Sequence, residues 1–282
     1  MEISASDVKK LREKTGAGMM ECKNALVSCE SDFAKAEKLL KEKGLAAVEK
    51  RSDRATNEGK IFVKVANNTA ALVEIATETD FVARNPEFIA LGGVIADKVL
   101  EKGYTEPNDE LAGLVTDLAT KIRENMSLKR IKVIKAGANE YVTSYIHGDG
   151  NIGVVVKLGA DKADVLQKEE AKALAFDLAL HIAAFNPLAL DKSKVDPAFL
   201  KEQEDIFRKQ LEQDEKLKGK PANVLDNILK GKISKYLADI CLMDQGFVKD
   251  EKQTVAQTLS EKSKQLGAAL TVNEYVYFKV GQ

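Results

Sequence analysis

Twice along this chain a pair of short, β-branched and aromatic runs flanks a tight turn, and each pair is followed by residues at helical spacing. The first pair is Ile61-Phe62-Val63-Lys64-Val65 and Ala71-Leu72-Val73-Glu74-Ile75, around Asn67-Asn68. The second is Tyr141-Val142-Thr143-Ser144-Tyr145-Ile146 and Ile152-Gly153-Val154-Val155-Val156, around Gly148-Asp149-Gly150-Asn151. Asn, Asp and Gly tolerate the positive φ that such turns demand. After the first pair a helix is expected from Pro86 to about Lys102, with Asn85 as N-cap and Pro86 at the first helical position. A second helix is expected from Asp109 to about Asn125. After the second pair a helix is expected from about Val165 to Phe185. A hairpin-then-helix unit that occurs twice predicts two related β-hairpin/helix subdomains side by side.

The flanking segments read differently. Residues 1–45 predict three short helices, broken at Thr15-Gly16-Ala17-Gly18, capped again at Ser31-Asp32 and ended at Gly44. So small a unit buries little by itself and reads as a docking module. Residues 46–58, charged and Ala-rich, fit a linker. The core then divides into residues 59–138 and residues 139–282. Within the second part, residues 196–243 predict an antiparallel helical hairpin that turns at Gly219-Lys220-Pro221. Its arms carry Phe199, Ile206, Phe207 and Leu211, then Leu225, Ile228, Leu229, Ile233, Leu237 and Ile240. Val272 to Val280 alternates as a strand and is expected to rejoin one of the sheets.

Composition narrows the function classes. Lys and Arg number 43 against 44 Asp and Glu in 282 residues, a net charge of −1. That balance argues against a dedicated nucleic-acid binder, which needs a basic face. Trp is absent and aromatics are 6%, so a stacking platform for single strands is not expected. Cys22, Cys29 and Cys241 form no regular disulfide framework, which points to a reducing compartment. The acidic N-terminus lacks the apolar core of a signal peptide, and no apolar run is long enough to span a bilayer. A cytoplasmic protein is expected.

Chemistry finds little purchase. Gly148-Asp149-Gly150-Asn151-Ile152-Gly153 matches G-x-G-x-x-G, the fingerprint of a dinucleotide-dependent enzyme. That site needs a helix directly after the glycines to hold the pyrophosphate. The residues after Asn151 read as a strand, so a hairpin turn is the plainer account. His147 and His181, the two histidines, stand far apart in sequence and in no zinc-type spacing, so no metal is expected. His181 lies on an apolar helix and reads as a packed core residue. His147 ends a strand at a turn, where partner contact and simple solvation are both open. No nucleophile elbow or phosphate loop is present, and no catalytic residue or cofactor is expected.

One segment stands apart. Thr79-Asp80-Phe81-Val82 lies between a strand and the Pro-started helix. It reads as a connector in which Thr79 caps one helical turn and Phe81 staples to the core. It also reads as a contact tip, since aromatics concentrate at interface hot spots and an acid competes for donors or cations.

The chain resembles the elongation factor Ts family. The matching blocks are Leu11-Arg12-Glu13-Lys14-Thr15-Gly16-Ala17-Gly18-Met19-Met20-Glu21-Cys22-Lys23-Asn24-Ala25-Leu26, then Glu78-Thr79-Asp80-Phe81-Val82-Ala83-Arg84-Asn85, then Tyr145-Ile146-His147-Gly148 with Ile152-Gly153-Val154. The resemblance implies an α+β fold: a ubiquitin-associated-like (UBA-like) three-helix N-terminal domain, then a two-subdomain α+β core with a protruding helical hairpin. It implies a guanine-nucleotide exchange factor whose partner is the GTPase elongation factor Tu, and no enzyme. It implies that Arg12, Met19 and Met20 dock on the partner's GTPase domain. Thr79, Asp80, Phe81 and Val82 would disturb its magnesium and nucleotide site, and His147 would form a second contact. It also raises self-association through the hairpin, as a homodimer or a 2:2 complex. Family members that run on past the last strand into another partner-touching helix differ from this sequence, which is given to Val280-Gly281-Gln282. Binding is therefore expected to rest on the core and the N-terminal module. A non-catalytic scaffold remains the alternative, with the dinucleotide-dependent enzyme behind it.

Overall fold

The computed structural model describes residues 3–217 and 219–282. The chain divides into two compact units. The first comprises Met1–Ile134, Ile146–Gly153 and Phe278–Gln282, and the second Lys135–Tyr145 and Val154–Tyr277.

The first unit begins with α1 (Ala5–Thr15), α2 (Met19–Ser28) and α3 (Phe33–Glu49). Ser4 caps α1 by accepting from the Asp7 amide at 3.0 Å, and Gly16 ends it in the left-handed region. Val8, Leu11, Cys22, Leu26, Ala36 and Leu40 bury a small common core. Asp32 caps α3, as its position before the apolar face predicts. The helix does not stop at Gly44, however, but runs on to Glu49. A Cβ at Gly44 would lie 2.3 Å from Thr120 Cγ2. The glycine is thus required by close approach to a neighbouring helix, and its sequence signal mimics a cap.

Next come β1 (Glu58–Ala66) and β2 (Thr69–Thr77), paired antiparallel from Glu58↔Thr77 to Ala66↔Thr69. Asn67 and Asn68 take φ of 49° and 56°, the left-handed pair that a two-residue hairpin turn requires. One helical turn, α4 (Asp80–Ala83), leads into α5 (Pro86–Lys102) and α6 (Asp109–Ile122). Then β3 (Met126–Lys135) completes a sheet ordered β1-β2-β3. With β2 central, its residues from Ala70 to Thr77 are all buried. Phe88, Ile95 and Val99 of α5 pack into the same core as Val73 and Ile75 of β2. The α3–α6 packing joins the first three helices to this layer.

A second sheet, ordered β4-β5-β8, is formed by β4 (Glu140–His147), β5 (Ile152–Ala160) and β8 (Leu270–Lys279). The second hairpin strand is again central, and again a third strand arrives after the helices. The structure is therefore mixed helix and sheet, as the α+β expectation has it. α7 (Glu169–Phe185) buries Leu174, Leu178 and Ile182. α8 (Pro197–Gln213) and α9 (Ala222–Ile240) pack on one another, with the rings of Phe207 and Tyr236 edge to face at 5.5 Å. A two-stranded ribbon of β6 (Gly246–Phe247) and β7 (Asp250–Thr254), then α10 (Val255–Leu266), precede β8. Among the described residues no helix is long and apolar enough to cross a membrane.

Candidate functional site

The turn after β2 is built to hold one side chain outward. Thr79 accepts from the Val82 amide at 3.4 Å and so caps α4. Its hydroxyl donates to both carboxylate oxygens of Glu124, at 2.9 and 3.1 Å, and Thr77 donates to the same group at 3.3 Å. The neighbouring Glu78 carboxylate accepts from the Asn125 amide at 2.5 Å. The Asn125 side chain donates in turn to the carbonyls of Ser52 and Arg54, at 3.0 and 2.8 Å. Val82 and Ala83 are buried in the core beside Phe88.

With the turn anchored on these groups, Phe81 is left 82% exposed. The expectation that Phe81 staples to the core is thus corrected: Val82 takes that position, one residue on. Holding a phenyl ring in water forgoes the stabilisation of burying it, about 2–3 kcal/mol. Asp80 is half-buried and pairs with Arg84 one turn on, at 3.2 Å.

His147 is exposed at the end of β4. The three residues after it, Gly148, Asp149 and Gly150, have φ of 59°, 57° and 95° and lead straight into β5. The glycines form one 3-10 turn, and a strand rather than a helix follows it, so the dinucleotide reading of Gly148 to Gly153 is overturned. The turn packs against β1, as does α4, so the Phe81 turn and the His147 turn share one supporting strand. Lys60 of β1 holds Asp149 in an ion pair at 2.8 Å. That hydrogen-bonded ammonium keeps the Asp149 carboxyl below the usual carboxylate range, with Arg84 acting in the same direction.

Met19 and Met20 open α2 and are 52% and 65% exposed. Arg12 is exposed in the last turn of α1. The two sites flank the Gly16-Ala17-Gly18 bend. Glu21 accepts from the Gly18 amide at 2.8 Å and pairs with Arg123 just past α6. The backbone bond and the guanidinium hold the Glu21 carboxyl below its usual range. One carboxylate thus fixes both the start of α2 and its link to the β-sheet layer.

His181 is fully buried. Its Nδ1 accepts from the Val248 amide at 3.1 Å, so Nε2 carries the proton and donates to Gln245 Oε1 at 2.9 Å. It is a satisfied core residue, as its apolar helix predicts. Among the described residues no cluster of His, Cys, Asp and Glu could hold a metal.

No sequence motif marks the contacts that Glu124, Asn125, Lys60 and the Glu21–Arg123 pair make. Each acts on a partner 45 to 102 positions away, a distance no local pattern encodes. Gly18-Met19-Met20-Glu21 carried a faint signal, since glutamate three residues past an N-cap closes a capping box.

Comparison with known proteins first gives the class: a translation elongation factor. The model of the family described as Elongation factor TS matches residues 78–282. An Elongation factor Ts of Treponema denticola is 50% identical over 281 residues, covering 100% of this chain and 99% of the relative. One of Treponema pallidum is 44% identical over 292 residues with the same coverage, and one of Borrelia recurrentis is 42% identical over 282 residues, covering both chains fully. The chain belongs to the elongation factor Ts family. It is a nucleotide exchange factor for elongation factor Tu in translation elongation, and it is not an enzyme in the reaction-class sense.

Proposed function

We propose that Phe81 is the wedge of the exchange reaction and that Thr79, Asp80 and Val82 set its position against the partner's magnesium and nucleotide site. The observation that carries this reading is an exposed phenyl ring on a one-turn helix whose cap and flanks are hydrogen-bonded to other elements. A preorganised aromatic enters a partner without paying for ordering at the moment of contact. Asp80 supplies a carboxylate beside it, which competes for the groups around the cation. Magnesium is held by few protein ligands plus water and phosphate oxygens, so a small displacement weakens it. Without the cation the phosphate charge is less compensated and GDP leaves faster. By linkage, nucleotide weakens the factor's own binding to the same degree.

Arg12, Met19 and Met20 dock residues 1–45, read as a UBA-like module, on the GTPase domain of the partner. Two exposed methionines beside an exposed guanidinium support that role, because thioether chains adapt to an apolar surface. His147 adds a second contact; its exposure and the strand it shares with the Phe81 turn support it. Residues 46–58 are read as the linker, residues 59–138 and 139–282 as the two core subdomains. The α8–α9 pair, within residues 196–243, is the protruding element through which two copies could associate. The near-zero net charge supports a protein partner and no direct nucleic acid, and the three free thiols support a cytoplasmic setting.

The test is release of a fluorescent GDP analogue from elongation factor Tu at micromolar concentrations of the chain. Acceleration that Phe81→Ala abolishes is the expected result. Unchanged acceleration by Phe81→Ala removes the wedge role.

A further inference from the structure

Lys60 lies within β1 and is only 7% exposed. A buried ammonium needs acceptors for its protons, and among the described residues Lys60 finds two, both on Asp149. Lys60 Nζ donates to the backbone carbonyl of Asp149 and pairs with Asp149 Oδ2 at 2.8 Å. Three successive residues of the turn it grips have positive φ; Gly148 and Gly150 take it freely, and Asp149, at 57°, does so at a modest steric cost. Gly150 lies flat on the lysine stem, where a Cβ would come 3.2 Å from Lys60 Cγ. Such a conformation persists only where its surroundings over-determine it. His147 is the last residue of β4 and stands immediately before this turn.

The Phe81 turn rests on the same strand: α4 and the Gly148-Asp149-Gly150 turn both pack against β1.

We propose that Lys60 is a positioning residue for nucleotide exchange: it fixes the Gly148-Asp149-Gly150 turn so that His147 and the Phe81 turn meet the partner as one surface. This rests on the roles given above to Phe81 and His147. Lys60 acts through the turn, and its removal costs docking geometry while leaving the wedge intact.

The test is GDP release from elongation factor Tu, measured over a range of concentrations of the full chain. The variants are Lys60→Met, Asp149→Asn, His147→Ala and the two doubles with His147→Ala. Lys60→Met is expected to raise the half-saturating concentration about fivefold and to leave the limiting release rate in place. Asp149→Asn, on the surface, is expected to act in the same direction more weakly. Adding His147→Ala to either is expected to cost little more, because the histidine contact is already lost. Lys60→Arg, which keeps the charge, is expected to recover part of the loss. Strictly additive doubles, or wild-type behaviour of both Lys60→Met and Asp149→Asn, would overturn the inference. Should Lys60→Met fail to fold, the Asp149→Asn and His147→Ala cycle decides by the same criterion. Phe81→Ala is run alongside. Wild-type release by that variant defeats the underlying reading, whereas impaired release with an additive cycle defeats the positioning role alone.

Discussion

Thr79 Oγ1 stands 2.9 Å from Glu124 Oε1 and 3.1 Å from Oε2, so the cap of the Phe81 turn is itself held from the connection between α6 and β3. The carboxylate also takes the Thr77 hydroxyl at 3.3 Å, which ties the end of β2 to the same point. Replacing Glu124 by Ala strands the hydroxyls of Thr77, which is fully buried, and of Thr79, which is partly buried. The expected loss of stability is about 1–2 kcal/mol, read as a lower urea midpoint. GDP release is expected to slow by less than with Phe81→Ala, since the ring stays while its orientation loosens. Equal stability and equal release for Glu124→Ala would show that the turn is set by α4 alone.

Phe81 separates function from folding. Its ring is 82% exposed, so Phe81→Ala is expected to change unfolding free energy by no more than about 0.5 kcal/mol. If the ring enters the partner, the same change is expected to slow GDP release by about tenfold or more. Thermal unfolding and stopped-flow release on one preparation measure both. A large stability loss with the release rate kept would assign Phe81 to the fold.

The strand pairs, their turns and the helix starts were legible in the sequence because each rests on local chemistry. Asn67-Asn68 accepts positive φ, Asn85-Pro86 caps and starts a helix, and Gly148 to Asn151 bends a hairpin. β3 was not legible. Its buried residues are Met126, Ile131 and Ile134, spaced five and then three apart, with Lys129, Arg130 and Lys132 between them. That spacing follows neither strand nor helix, because the strand's neighbours decide which positions are covered. The ribbon of Gly246–Phe247 and Asp250–Thr254 was missed for a similar reason, since it is short and mostly polar. At the candidate site, Thr79 as a cap was readable, whereas the outward turn of Phe81 was not. Either Phe81 or Val82 could have supplied the apolar contact, and only packing against Phe88 and its neighbours selects Val82.

Two adjacent glycines in α5 give opposite predictions. A Cβ at Gly92 would fall 2.1 Å from Phe62 Cζ, inside the ring packed between helix and sheet. Gly92→Ala is expected to destabilise by about 1–3 kcal/mol through overpacking. At Gly93 nothing lies within 4 Å of the same atom. Gly93→Ala is expected to stabilise by about 0.5–1 kcal/mol, the usual gain for glycine to alanine inside a helix. Urea unfolding of the two variants beside the parent checks the pair, and a shared sign would refute the packing argument.

The end of β8 is fastened through Glu74. The side chain of Glu74 is 3% exposed and accepts from Arg130 Nε at 2.6 Å and from the Gly281 amide at 3.1 Å. Arg130 also donates to the Lys279 carbonyl at 3.0 Å and lies 4.1 Å over the ring of Phe278. Glu74→Ala leaves the guanidinium and the amide without this acceptor. Because Arg130 is about one-third exposed, water meets part of the loss, and the expected cost is about 2 kcal/mol rather than the larger figure for a fully buried pair. Amide exchange near Gly281 is expected to rise at the same time. Protection that survives Glu74→Ala would show that the segment is held by other contacts.

His181 makes the fold sensitive to mild acid. Burial lowers its pKa from the usual 6.5, against a smaller upward effect of the Gln245 hydrogen bond. Its ring stacks on Phe185 at 4.7 Å, and Nδ1 is occupied as an acceptor from Val248, so a second proton has no place without breaking that bond. The unfolded chain therefore binds a proton more readily than the native one. Well above pH 6.5, the usual histidine pKa, both states are neutral at this residue and it adds no pH dependence. As pH falls below that value the unfolded state gains protons first, and stability is lost by up to about 1.4 kcal/mol per pH unit until the native ring also titrates. Urea midpoints at about pH 7.5 and pH 5.5 are expected to differ more for the parent than for His181→Gln, whose side chain does not titrate. Equal differences in the two proteins would place the acid sensitivity elsewhere in the chain.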